Sequence, residues 1–299
     1  MTYHIDHIFL IIAINNPNLI VVTHLEKSIV HFKCYLMTSP KKGNKAIVDP
    51  DKFSVYRMKG SDKIVIRKKG GPTRKQALTS KRYERSRENT AEFIGAGIAV
   101  RAIRFPLLHI KHLSDHNFTP TLTHICSEIK NEDKTGNRGQ RSIFLSQHRY
   151  MLEGFMLHKK HPFQSIVLSA VNCTLNRETK SAVIKLPRLT PGINLRLPWK
   201  HPLYRFSMSL GLVPDTVYED GQYNDHVEDR ACTGLDTAWH MVTAPFKSQT
   251  VELKLDIKHA IKDSQTLVFA IGIEMGMPGP DGKTEEVKRA GSACILAVG

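Results

Sequence analysis

Two short runs of β-branched and aromatic residues in the first third of the chain predict a β-hairpin. They occupy residues 53–58 (FSVYRM) and 63–68 (KIVIRK), and the turn-like residues 59–62 separate them. A connection of four residues is an ordinary hairpin loop. The following Lys-Gly-Gly-Pro at residues 69–72 contains strong strand breakers, so we expect the second strand to end there.

The pattern then changes to a helical one between about residues 80 and 104. Phe93, Gly97, Val100 and Ile103 recur at three- and four-residue spacing, and Pro106 follows the run. Residues 106–160 are less regular, and the polar stretch at 131–139 predicts a loop between two short helical pieces.

The second half of the chain has the two-residue period of strands. Apolar residues alternate with Arg, Ser and Gly over residues 204–212, and with Glu, Lys and Asp over 251–258. Both runs predict strands with one solvent-exposed face. Further candidate strands cover residues 165–174, 181–189, 266–275 and 287–298, and a Pro-Gly-Pro-Asp-Gly turn at 278–282 joins the last two. Strands that follow one another without helices between them favour an antiparallel β-sandwich.

The predicted fold class is therefore α+β, with a basic β-hairpin and helix module at 37–160 followed by an antiparallel β-sandwich at 161–299. Residues 1–36 carry no net charge and are rich in Ile and His, unlike the lysine-rich segment that opens at Met37. We expect Met37 to be the natural start and residues 1–36 to be a non-native extension. The apolar run at residues 8–14 is far shorter than the ~20 residues that span a bilayer, so we expect no membrane association.

Charge is the strongest functional signal in the sequence. The whole formal net charge of +15 lies in residues 37–160, and residues 41–90 alone contain 16 basic and 5 acidic side chains. Many Lys and Arg side chains on one surface favour binding to phosphates, because binding releases condensed counterions. Tyr56, Tyr83 and Phe93 lie among these charges and could stack on bases. The predicted polyanion-binding residues are Lys59, Lys63, Arg67, Lys68, Lys69, Gly70, Gly71, Arg74, Lys75, Arg82 and Arg85.

The metal-ligating and nucleophilic residue types form no complete site in the sequence. His109, His112 and His116 would share one face of a helix, but two prolines crowd this region and no Cys or Glu completes the set, so we assign no metal. The glycines of residues 95–97 follow a predicted helix rather than a strand, which indicates close packing and not a dinucleotide site. We expect no cofactor.

Two other groups of residues were weighed as sites. Asp215, Glu219, Asp220, Asp225, Glu228 and Asp229 form an acidic loop whose spacing does not match an EF-hand. The five cysteines are scattered, which predicts buried thiols in a cytoplasmic protein, and neither Cys126, near His124, nor Cys173 has a recognisable base and orienting carboxylate. We therefore expect no enzyme.

Three sequence elements resemble an uncharacterised family of Bacteroidota proteins. They are the hairpin strand that ends in Lys-Gly-Gly-Pro at residues 64–72, the R-E-N-x-x-E-F run at 87–93, and the Gly-Gln-Arg at 139–141. The final strands, through Ile-Gly-Ile-Glu at 271–274, are also similar. The resemblance covers roughly residues 45–299 and supports Met37 as the start. It implies no activity, cofactor or catalytic residue.

These observations predict a non-enzymatic binding protein whose basic module engages nucleic acid, or another polyanion, without sequence preference. The alternative is a structural or assembly protein, in which the β-sandwich self-associates into a homo-oligomer and the basic arm contacts an acidic protein surface. A solvated basic face that serves only solubility is the third interpretation.

Overall fold

The computed structural model describes residues 52–58 and 63–299, together with the backbone of three strands nearer the N-terminus. The chain forms two compact units, Met1–Ser80 and Lys81–Gly299. The boundary that the sequence predicted between residues 160 and 161 therefore lies inside the second unit.

Where the structure describes the first unit, the chain forms five strands and one short helix. Strands β1 (Phe9–Ala13), β2 (Ile20–His24) and β3 (Tyr35–Met37) pair antiparallel in that order, so the expected start at Met37 falls within a paired strand. Strands β4 (Phe53–Arg57) and β5 (Ile64–Lys68) form an antiparallel ribbon, which confirms the strands of the predicted hairpin. The predicted turn at 59–62 lies outside the described residues.

Helix α1 (Arg74–Thr79) follows the Gly-Gly-Pro breaker and begins at a capping box. The side chain of Thr73 accepts the backbone N–H of Gln76 at 3.3 Å, and the Gln76 side chain accepts the backbone N–H of Thr73 at 3.0 Å. These two bonds satisfy donors that a helix start otherwise leaves unpaired.

The second unit begins with its helical layer. Helix α2 (Glu84–Arg104) ends two residues before Pro106, as the sequence predicted, and α3 (Thr119–Glu132) and the short α4 (Phe163–Ile166) follow. Between α2 and α3 the chain forms only turns and a single 3₁₀ turn at Lys111–Leu113.

The strands of the second unit form a large sheet, a small sheet and a two-stranded hairpin. In chain order they are β6 (Asn172–Asn176), β7 (Ser181–Leu186), β8 (Leu203–Pro214), β9 (Tyr218–Glu219), β10 (Gln222–Tyr223), β11 (Ala231–Asp236), β12 (His240–Met241), β13 (Gln249–Lys254), β14 (Gln265–Pro278) and β15 (Thr284–Val298). The large sheet has the order β11-β8-β14-β15 with β12 beside β8, the small sheet has the order β13-β7-β6, and β9 pairs with β10.

The two sheets pack face to face on a shared apolar core. Ile184 and Leu186 of the small sheet join Phe206, Phe269 and Ile273 of the large sheet in one buried cluster. A mixed α+β fold with an antiparallel, sheet-rich C-terminal region is therefore confirmed, and the alternation predicted for residues 251–254 matches the exposed Glu252 and buried Leu253 of β13.

The large sheet differs from the prediction because both of its faces are buried. Ser207 and Ser209 lie on the face of β8 that was expected to meet solvent, yet each is only 1% exposed. The chain after α2 covers this face, and a Cβ placed on Gly211 would lie 2.5 Å from Cβ of Pro106. Because Ser and Gly are small, the chain after α2 can pack directly on this face. The prediction that this face is exposed to solvent was wrong.

A second apolar core joins the helical layer to this covered face. Val100, Leu107 and Leu122 share a buried cluster with Val268 and Ile295 of β14 and β15. Because residues on both sides of position 160 build this core, a fragment that starts at residue 161 would expose a broad apolar face.

The two glycines of α2 have different surroundings. A Cβ on Gly95 would lie 2.6 Å from the ring of Tyr223, whose hydroxyl donates to the carbonyl of Arg141 at 2.9 Å. A Cβ on Gly97 would meet nothing within 4 Å. Close packing, which the sequence suggested for both glycines, therefore applies to Gly95.

We predict opposite effects of alanine at these two positions. Gly97→Ala should raise the free energy of unfolding by about 0.5–1 kcal/mol, because alanine restricts the unfolded chain and favours the helix. Gly95→Ala should lower it by about 1–3 kcal/mol through overpacking against Tyr223. Urea denaturation measures both values, and an equal gain in the two variants would show that Tyr223 does not pack on α2 as described.

Candidate functional site

The β4–β5 ribbon has two chemically different faces. Its register places Val55 opposite Ile66 and Tyr56 opposite Val65, and opposed residues of an antiparallel pair lie on the same side. One side, the apolar face, consists of Phe53, Val55, Arg57, Ile64, Ile66 and Lys68. The other side, the basic face, consists of Ser54, Tyr56, Val65 and Arg67 within the strands. Continuing the alternation beyond the strands adds Lys52, Met58, Lys63 and Lys69 at its ends, and the backbone N–H of Lys69 donates to the carbonyl of Lys52 at 2.6 Å.

The basic face belongs to a strongly basic segment. Residues 51–80 contain nine Lys and Arg residues and two acidic residues, Asp51 and Asp62. The exposed ring of Tyr56 lies among these charges with 49% of its surface accessible. In proteins that bind single-stranded nucleic acid, cations contact the phosphates and exposed aromatic rings stack on the bases.

The chain that follows the ribbon is open to a ligand. Gly71 has a φ of +148°, which residues with a Cβ rarely adopt. A Cβ on Gly70 or Gly71 would meet nothing within 4 Å, so the backbone there is accessible. Arg74 and Lys75 come directly afterwards in the first turn of α1.

The eleven residues predicted to bind polyanions fall into both units. Lys63, Arg67–Lys69, Gly70, Gly71, Arg74 and Lys75 belong to the first unit, whereas Arg82 and Arg85 belong to the second. Arg85 donates to Glu88 at 3.1 Å, and the guanidinium of Arg82 lies 5.9 Å from the ring centroid of Tyr83. Lys59 lies outside the described residues.

The three histidines considered as metal ligands each contact a different carboxylate. His109 Nε2 lies 2.7 Å from Asp236, His112 Nε2 lies 2.8 Å from Glu274, and His116 Nδ1 lies 2.7 Å from Asp115. Because no helix runs through residues 109–116, they do not share a face. They therefore do not form a metal site on one face of a helix, which their spacing in the sequence would have allowed.

Two of these histidines belong to a half-buried group of charges at one end of the large sheet. This group, the Arg205 cluster, consists of His109, His112, Arg205, Asp236, Glu274 and Glu286. Arg205 Nε donates to Glu274 at 2.5 Å, its Nη2 lies 3.2 Å from Asp236, and it also pairs with Glu286. Its guanidinium carbon stands 4.5 Å from the ring centroid of Trp239, within the range of a cation–π contact.

Glu274 is ionised at the centre of this cluster although it is only 2% exposed. Burial alone would raise its pKa, but hydrogen bonds from His112, Arg205 and Ser207 outweigh burial and lower the pKa to about 2. The hydrogen bond to Glu274 in turn raises the pKa of His112 above its usual value. These two groups therefore stabilise each other's charged form.

The Arg205 cluster also contains donors that could hold a metal ion. The ligand atoms of His112, Glu274 and Glu286 all lie within 4.8 Å of one another. Imidazole and carboxylate are suitable ligands for zinc. Arg205 already contacts both carboxylates, however, so a cation would have to displace a guanidinium that is paired and stacked. This arrangement supports a charge network that holds residues 109–112 on the sheet.

A second buried carboxylate joins two of the sequence elements that carried the family resemblance. Glu92 of the R-E-N-x-x-E-F run accepts the N–H of Gly139 at 2.9 Å and bonds from Arg141 Nε and Nη2 at 2.8 and 2.9 Å. Lys130 Nζ donates to it at 2.8 Å. Burial acts to raise the pKa of Glu92, but these bonds lower it to about 2. These two sequence motifs thus attach the loop after α3 to α2.

The remaining candidates from the sequence do not come together as sites. Asp215 accepts two bonds from Ser146, whereas Asp225 pairs with Arg101 and Arg230, so these carboxylates of the acidic loop are engaged separately. Burial raises the pKa of the Cys126 and Cys173 thiols to about 12, which disfavours the nucleophilic thiolate.

No family model matches the chain, and neither a curated protein nor a solved structure shows significant similarity to it. Among the helices of the described residues, none combines the length and apolar character that crossing a bilayer requires. Geometry and charge therefore carry the functional argument.

We predict a pH-dependent contribution of the His112–Glu274 pair to stability. Between pH 4.5 and 6.5, the usual pKa values of Glu and His, both groups are charged in the folded protein and the pair is at full strength. Its contribution is lost as pH rises through the raised pKa of His112, and again as pH falls below 4.5 toward about 2. His112→Gln should cost about 1 kcal/mol at pH 6, since the half-exposed imidazole is screened by solvent, and less at pH 9.

Thermal melts of wild type and His112→Gln across pH 5–9 measure this difference. His124→Gln is the matched control, because His124 lies on the exposed side of α3 with 72% of its side chain accessible. A constant difference between wild type and His112→Gln over this range would contradict the charged pair.

Proposed function

We propose that this protein is a non-enzymatic nucleic-acid-binding protein, and that the basic face of the β4–β5 ribbon contacts phosphates without sequence preference. The observation that carries the proposal is the segregation of side chains across the ribbon. Arg67 shares one side of the strands with the exposed Tyr56, continuing the alternation adds Lys52, Lys63 and Lys69 to that side, and residues 51–80 contain nine Lys and Arg residues against two Asp.

The shape of the ribbon suits this partner. A two-stranded β-ribbon fits the major groove of duplex DNA, and its cations can then reach phosphates on both sides of the groove. On a single strand, Tyr56 can stack on a base, which contributes about 1–3 kcal/mol with little preference for sequence. An acidic protein surface would use the cations but gives no comparable role to the exposed ring.

The apolar face supports a second candidate, which is assembly. Val55 is 44% exposed and Ile66 is 50% exposed, although both are aliphatic residues in paired strands. An isolated two-stranded ribbon is only marginally stable in water, so covering this face would stabilise it. Pairing with the ribbon of a second copy through the apolar faces would leave both basic faces outward. Self-association and nucleic-acid binding are therefore compatible.

We predict that binding depends on which face of the ribbon loses its charge. Arg67→Glu/Lys69→Glu reverses two charges on the basic face, and Arg57→Glu/Lys68→Glu makes the same change in net charge on the apolar face. The first pair should weaken binding to a short single strand or duplex more than tenfold at 150 mM salt, and the second less than threefold. If about four to six phosphates are contacted, the log–log salt slope of the wild type should be about −3.5 to −5.5 on duplex DNA and about −3 to −4 on a single strand.

Fluorescence anisotropy of a labelled oligonucleotide measures both quantities, and light scattering reports the oligomer size of each variant. Equal loss of affinity in the two double variants would show that net charge, and not the basic face, attracts the ligand. If the wild type does not bind but Arg57→Glu/Lys68→Glu changes the oligomer size, assembly is the function.

A further inference from the structure

A cavity in the second unit contains polar groups that none of the networks described above uses. It has a volume of about 410 Å³, within the range of small-molecule sites. Leu113, Ser114, Asp115, His116, His158 and Arg289 line it.

Asp115 is fixed in place at this cavity and orients His116. It accepts the backbone N–H groups of Lys159 at 2.9 Å and Lys160 at 3.0 Å, and His116 Nδ1 lies 2.7 Å away. Burial would raise the pKa of Asp115, but these bonds hold it well below its usual range. Since the carboxylate is ionised, His116 Nδ1 must carry a proton, and His116 Nε2 is left for another partner.

His158 brings a buried donor to the same cavity. It is 5% exposed, and its Nδ1 accepts the backbone N–H of His161 at 2.9 Å, so the proton of the neutral ring is on Nε2. Burial lowers the pKa of His158, which favours this neutral form. The ring contacts those of His161 and Trp199, at centroid distances of 5.5 and 6.0 Å, and these two rings also contact each other at 5.6 Å. Within the described residues, no protein group hydrogen-bonds to His158 Nε2, and since this atom is not among the fully buried ones without a partner, its N–H is open to a ligand in the cavity.

Arg289 reaches the cavity from an irregular part of β15. The register with β14 moves from Glu274 opposite Gly291 to Gly276 opposite Glu286, so the intervening residues form a bulge. Arg289 has a φ of +63° in this bulge, a conformation that residues other than Gly, Asn and Asp rarely adopt. No carboxylate of the described residues pairs with its guanidinium. Strained residues of this kind concentrate at functional sites.

We propose that this cavity binds a small oxyanion, a phosphate or carboxylate group, between the guanidinium of Arg289 and the Nε2–H of His158. Guanidinium presents a planar fork of donors that matches an oxyanion. His116 Nε2 faces the same ligand as a third polar group, and the negative charge of Asp115 is already met by two backbone N–H groups and His116. The proposal concerns the second unit alone and does not rest on nucleic-acid binding by the ribbon.

The decisive variant is Arg289→Gly, because glycine accepts the backbone conformation that strains arginine. The variant should be at least as thermally stable as the wild type and should lose oxyanion binding. Lys288→Gln is the matched control: it removes one positive charge from the adjacent residue, which does not line the cavity.

Titration of the full chain with inorganic phosphate, and separately with acetate, tests the proposal by calorimetry and thermal melts. We expect saturable binding of at least one of the two, at least tenfold weaker in Arg289→Gly and changed less than twofold in Lys288→Gln. Binding should persist in Arg67→Glu/Lys69→Glu, which separates the cavity from the ribbon. The preferred anion then identifies the ligand as a phosphate or a carboxylate.

Three results would overturn the proposal. One is a melting shift that sodium chloride reproduces at the same ionic strength. Another is equal loss of binding in Arg289→Gly and Lys288→Gln, which would indicate general electrostatic attraction. The third is the absence of saturable binding of either anion to the wild type.

Discussion

The second unit depends on a large β-sheet that is buried on both faces. One face packs on the small sheet through large apolar side chains, and the other carries Ser207, Ser209, Gly211 and Gly272. Because these residues are small, the chain after Pro106 lies directly on the strands, and Leu113 contacts the positions where Gly272 and Gly291 lack a Cβ. This close approach brings His109, His112 and Asp115 to one end of the sheet, next to residues far away in the sequence.

Buried carboxylates then determine how the helical layer is attached. Glu92 joins α2 to the loop that ends at Arg141, and Glu274 joins the sheet to His112 and Arg205. Removing the arginine from such a network leaves an uncompensated buried carboxylate, which costs about 3–5 kcal/mol, whereas the half-exposed His112 contributes less. The networks therefore make the position of the helical layer specific. Two of the sequence motifs, R-E-N-x-x-E-F at 87–93 and Gly-Gln-Arg at 139–141, meet at Glu92, so their role here is structural.

Sequence patterns predicted those helices, strands and turns that depend mainly on residues close together in the chain. The β4–β5 strands, the end of α2 before Pro106, and the β14–β15 hairpin with Gly282 at a φ of +76° all follow from residue type and spacing. The exposed face expected for β8 was wrong because Ser and Gly indicate either solvent or a close neighbour, and alternation cannot distinguish the two. The Arg205 cluster and the cavity at Arg289 combine residues more than 160 positions apart, which no spacing in the sequence signals. The two faces of the ribbon, in contrast, follow from alternation once the register is known.

The two units contain different features: the apolar cores and their charge networks belong to the second unit, and the strands of the ribbon in the first unit present cations and an exposed ring. We propose that nucleic acid meets the protein at the basic face of that ribbon. Ultraviolet cross-linking of a photoreactive oligonucleotide to the full chain, followed by mass spectrometry of the peptides, tests this claim most directly. The predicted result is cross-linking concentrated in residues 52–69, with Tyr56 as the principal site. Cross-links confined to residues 81–299 would contradict it.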